Sequence, residues 1–166
     1  MAPSALYSKL FSLAQAHAEP KDLDQILNIR SRDAIHAWGH NYLVSKNPGL
    51  ADRMDNDAFE AHLINSGRYL DMGSSQVHDI IVDEHKRRAV IHMSYFLKPK
   101  DSKEMVEHDL IWTLKFTDED KEDEILIKES VEFIDAAAGA RVGAIVQEIH
   151  GEIDELTRGS ITLKGI

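Results

Sequence analysis

The chain has 166 residues, 43% of them hydrophobic, a composition for one globular domain with a real core rather than a disordered segment. A formal net charge of -10, with basic residues scattered, argues against binding to a nucleic-acid backbone. The absence of cysteine excludes disulfides, thiolate metal sites and a cysteine nucleophile.

The N-terminus lacks a long apolar run, and no stretch approaches the roughly 20 apolar residues of a membrane span. The expectation is a soluble, cytoplasmic protein with no membrane and no nucleic-acid partner, and with residues 1–166 forming a single domain.

Taken in order, Ser4 to Ala18 spaces Leu6, Leu10, Leu13 and Ala14 as a helix, capped by Ser4 and ended by Glu19-Pro20. Asp22 to Arg30 reads as a second short helix. The segment Arg30 to His40 mixes charge, two histidines and Trp38, and fits no simple period. Asn47-Pro48-Gly49 marks a turn. A third helix starts at the caps Asp55 to Asp57, buries Phe59, Leu63 and Ile64, and ends near Gly67.

Four strands are predicted next: Val77–Asp83, Arg88–Leu97, Val106–Phe116 and Glu124–Ile134. The third alternates cleanly, with Val106, His108, Leu110, Trp112, Leu114 and Phe116 on one face. A C-terminal helix follows Asp135. Helices, then antiparallel strands, then a helix imply an α+β fold, three N-terminal helices packed on a curved sheet. Such a sheet leaves a cone-shaped cavity suited to a small ligand.

Several side chains stand out chemically. Glu132 sits on the last strand, where a carboxylate is costly unless paired or used. Plain alternation would instead bury Glu129, which shares the phase of Ile125, Ile127, Val131 and Phe133; a bulge would reverse this. Asp33 and His36, three apart, would face the same way on a helix or turn. His36 and His40 have a metal-compatible spacing, but no ligand set accompanies them, and no metal is expected. His92 reads as a satisfied sheet histidine.

Four segments resemble the nuclear-transport-factor-2-like superfamily, and within it the SnoaL-like proteins of fungal secondary metabolism. They are Ile29-Arg30-Ser31-Arg32-Asp33-Ala34-Ile35-His36, Met54 to Glu60, His108 to Thr117, and Val131-Glu132-Phe133-Ile134-Asp135. The first looks like the family's arginine segment closing the second helix, with Ala34 where a cysteine is common.

The resemblance implies a cofactor-independent isomerase or cyclase acting on a small hydrophobic alkaloid, polyketide or meroterpenoid intermediate. It implies a homodimer formed through the outer sheet face. Arg30 would polarise a carbonyl, Glu132 would shuttle a proton, and Asp33, His36, His108 and Trp112 would bind substrate. Two alternatives stand beside it: a hydrolase or dehydratase, and a non-catalytic module whose cavity is plugged by Trp112, Phe133 and Met93.

Overall fold

The computed structural model describes residues 2–163. Helix α1 spans Ala5–Ala18; the Ser4 hydroxyl accepts from the Tyr7 amide at 2.8 Å and donates to Glu84. Its buried stripe is Leu10, Leu13, Ala14, His17 and Ala18, a helical repeat with a histidine inside it. Helix α2, Leu23–Asn28, is capped by Asp22 and stops before Arg30. A short α3, Asn41–Lys46, precedes α4, Asn56–Tyr69, capped by Asp55.

The strands are β1 (Arg30–Trp38), β2 (Leu70–Asp83), β3 (Arg88–Pro99), β4 (Val106–Phe116) and β5 (Ile127–Ile134). They form one sheet in the order β1-β5-β4-β3-β2. β1 was not foreseen. Its residues form a strand rather than the close of the second helix, and it runs parallel to β5 while all other neighbours are antiparallel. Helix α5, Ala136–His150, follows β5 directly. The Asp135 carboxylate caps it by accepting from the amides of Ala137 and Ala138.

The curled sheet wraps its inner face around the helices, giving the expected α+β cone. Ala89, Ile91, Met93, Leu110, Leu114 and Phe116 meet Leu10, Leu13 and Ala14 of α1 in the main core. A second cluster joins Trp38, Leu50, Met54, Phe59, Ile134 and Leu163 under α4. Helix α5 and the tail close the far side. A Cβ on Gly143 would lie 2.4 Å from the Ile161 carbonyl oxygen, so this contact requires glycine.

Two irregularities set the phase of the site. In β5, Lys115 and Phe116 of β4 pair with Glu129 and Ile127, leaving Lys128 as an extra residue. Ile127 and Ser130 therefore both face inward, each 0% exposed. In β1, Arg30 pairs with Ile127 while Ile35 pairs with Glu129, so Ser31–Ala34 form a bulge between them, with Arg32 and Asp33 exposed and Ser31 and Ala34 buried. This bulge erases the alternation that would have marked β1 as a strand.

Candidate active site

The inner end of the cone holds a cavity of about 580 Å³. Its mouth lies between the end of α1, α2, α4 and the tail at Arg158–Ile161; its depth is formed by Trp38, Tyr95, His108, Trp112 and Glu132. Glu132 is placed there by register: it pairs with Trp38 of β1 on one side and Trp112 of β4 on the other. The bulge at Lys128 decides between the two glutamates. Glu132 lines the cavity, and Glu129 lies outside, bonded to Arg53 at 3.2 Å.

The Trp38 indole N–H donates to Glu132 Oε2 at 3.1 Å. Burial pushes the Glu132 carboxyl up to about 7, partly offset by this hydrogen bond. The Tyr95 hydroxyl is pushed well above the usual phenol range, first by burial and then by the Glu132 charge. His108 also lines the cavity. Burial lowers its pKa against the pull of Asp135 and Asp109, and its Nε2 has no partner. Trp112 presents an unpartnered Nε1 beside it.

Two more histidines complete the lining. His17 sits edge-on to Trp112 at 4.5 Å between ring centroids. Burial, helped by the Arg30 charge, lowers its pKa to about 3, and neither ring nitrogen has a partner. His62 on α4 packs edge-on to Trp38 and is lowered to about 4 by burial and Arg158. At neutral pH the aromatic part of the lining is therefore neutral imidazole, indole and phenol around the Glu132 carboxyl, which titrates near 7, while Glu19, Asp22 and Arg158 also line the cavity.

The remaining predicted residues are placed differently. Arg30 is 4% exposed and not part of the cavity lining. Its Nε donates to Asn56 Oδ1 at 2.8 Å and its Nη1 to Ser130 Oγ at 2.9 Å, while the guanidinium lies 4.6 Å over the Phe59 ring. His36 is buried behind the same ring, with Nδ1 3.2 Å from Ser130 Oγ. Asp33 and His36 do not face the same way, because they are three apart on a strand, not on a helix. Asp33 is exposed and accepts from Ser31, outside the cavity. His40 is exposed, so it forms no pair with buried His36.

Trp38, Tyr95, His17 and His62 were not singled out from sequence. Two of them carried a signal: His17 lies in register with Leu10, Leu13 and Ala14, and His62 follows Phe59 by three. The plugged-cavity expectation is not met either. Met93 belongs to the main core, and Phe133 packs against Gly39 and His40.

No protein-family model matches the chain, and no curated protein sequence is significantly similar to it. Solved structures do resemble it. PrhC from Penicillium brasilianum superposes with a TM-score of 0.72 at 14% identity, over 89% of this chain and 93% of its own. BvnE pinacolase from Penicillium brevicompactum gives 0.68 at 17% identity, over 89% and 99%. An NTF-2 like protein from Burkholderia xenovorans gives 0.55 at 13% identity, over 79% and 86%. At such identities the likeness shows the fold alone: the curved-sheet cone that this chain shares with the NTF-2 like protein.

Proposed function

We propose that the chain is a cofactor-independent isomerase or cyclase acting on a small hydrophobic natural-product intermediate. The observation that carries this reading is the Glu132 carboxyl, titrating near 7 at the base of a largely aromatic cavity. A group half-protonated at neutral pH can take a proton from carbon and return it elsewhere without a cofactor. The named activity of one neighbour in fold, a pinacolase, supports a rearrangement.

Glu132 is the proton shuttle, and the Trp38 indole fixes its carboxyl plane. His108 Nε2 and the Tyr95 hydroxyl hold a substrate carbonyl, and Trp112 lines the wall beside them. Arg30 acts from behind Phe59 as a positioning residue, fixing Ser130 and Asn56; burial keeps His17 and His36 neutral, and the Arg30 charge adds to it. The exposed Ile81 and Val90, toward the β2–β3 turn on the outer sheet face, support a homodimer through that end of the sheet. Sedimentation of the full chain tests that association.

The chemical test uses cyclic ketones retained by the protein in a thermal-shift screen. The wild type in heavy water incorporates deuterium beside the carbonyl, read by NMR, and Glu132→Gln loses this exchange while keeping its fold. Near-wild-type exchange in Glu132→Gln overturns the shuttle. Uptake of heavy oxygen from labelled water, without carbon exchange, identifies a hydrolase instead.

A further inference from the structure

The outer face of the sheet carries a second cluster of ligating side chains, separate from the cavity. His78 on β2, His92 on β3 and Asp109 on β4 bring one ligand atom each to within 4.8 Å of one another. His92 Nε2 is 2.8 Å from Asp109 Oδ1, and the His78 and His92 rings are 4.6 Å apart. His78 is the extra residue of a bulge between Val77 and Asp79, a device that re-aims a side chain.

The hydrogen bonds around His78 fix its tautomer. Ser94 Oγ donates its one hydrogen to Glu107 Oε1 at 2.9 Å. It must therefore accept from His78 Nε2–H, 2.9 Å away, which leaves Nδ1 with a free lone pair. A carboxylate reached through a serine thus orients the imidazole, an arrangement that sets a ring for metal binding. Across the cluster, the proton between His92 Nε2 and Asp109 Oδ1 occupies the place a cation would take.

We propose that His78, His92 and Asp109 form a surface site for a first-row divalent metal ion of the zinc type. Two imidazoles and one carboxylate suit zinc, nickel or copper and disfavour magnesium and calcium, which require mostly oxygen ligands. A tetrahedral ion with bonds of about 2.0–2.1 Å separates its ligands by roughly 3.4 Å. The spacings here, 2.8 Å at the short edge and up to 4.8 Å, bracket that value, and rotation of exposed side chains reaches it. On binding, the ion bonds His92 Nε2, whose proton passes through solvent to Nδ1. Water fills the fourth position. Spacing along one element gives no sign of this cluster, because its ligands come from three adjacent strands.

The test is calorimetric titration of Zn2+ into tag-free full-length protein, with Co2+ as a visible-absorption probe. The expected result is one Zn2+ per chain and tetrahedral Co2+ bands, neither displaced by excess Mg2+. His78→Ala and His92→Ala each weaken binding by at least ~100-fold, and Ser94→Ala by about 10-fold or more. His85→Ala, at an exposed turn, and Glu132→Gln, in the cavity, leave it unchanged. Circular dichroism checks that each variant is folded. Wild-type affinity retained by folded His78→Ala or folded His92→Ala overturns the site.

Discussion

Glu132→Gln tests the electrostatics of the cavity without any substrate. In the unfolded chain the Glu132 carboxyl ionises near its ordinary 4.5; in the fold burial raises it to about 7. Between these values the folded state holds more protons than the unfolded one, so stability falls as pH rises through the window. Above pH 7 the charge is buried at full cost, about 3 kcal/mol by linkage. Glutamine has no charge to bury, and its amide oxygen still accepts from Trp38.

The variant is therefore more stable than wild type by about 1 kcal/mol at pH 5 and about 3 kcal/mol at pH 8.5. Urea unfolding at the two values measures the difference. The buried histidines titrate in both proteins and cancel in the comparison. A gap that stays the same at the two pH values, or a variant less stable at pH 8.5, would refute the claim that burial raises Glu132. Under the proposed shuttle role the same substitution also removes proton transfer, so stability and activity move in opposite directions.

Four further substitutions follow from the packing. His17→Leu removes a neutral imidazole whose pKa falls from 6.5 to about 3 on folding. Because the unfolded histidine gains its proton first, stability drops as pH falls below 6.5; the variant is about 2 kcal/mol more stable at pH 5 and loses that advantage by pH 8, as thermal melts at the two values show. Gly143→Ala drives a Cβ into the Ile161 carbonyl and costs about 2 kcal/mol, whereas Gly67→Ala, with open space around it, stabilises α4 by about 0.5–1 kcal/mol; both are read by chemical denaturation. Trp38→Phe removes the hydrogen bond that holds the Glu132 pKa down, so the Glu132 titration followed by carboxyl NMR shifts to higher pH.

What the sequence disclosed depended on whether an element kept its period. β4 is legible because Val106, His108, Leu110, Trp112, Leu114 and Phe116 alternate without interruption; all are buried as read except Val106, which is half-buried at the strand's start. α1 and α4 announce themselves by Ser4 and Asp55, which cap them. β1 is opaque for two reasons. Its bulge breaks the alternation, and its inward residues Arg30 and His36 are polar, tolerated only because Ser130 and Asn56, far along the chain, hydrogen-bond them. The glutamate ambiguity has the same origin: hydrophobic phase from Ile127 favours Glu129, and only the extra residue Lys128 turns Glu132 inward.

The concentration of unsatisfied groups in this cone is itself informative. His17, His36, His62, His108 and Trp112 each leave a buried ring nitrogen without a partner, and all lie at or directly behind the cavity. A chain under selection for stability alone would place leucine or phenylalanine at such positions, as it does a few ångströms away in the main core. Local conflicts of this kind gather where a fold is used rather than where it is merely held together. The donors and lone pairs left open inside the cone match what a polar, mostly apolar-skinned ligand would complete. On that basis, a bound ketone raises the melting temperature of the wild type, and His108→Phe, which removes one open nitrogen from the cavity, loses most of that thermal shift. An undiminished shift in folded His108→Phe would mean that this open nitrogen does not meet the ligand.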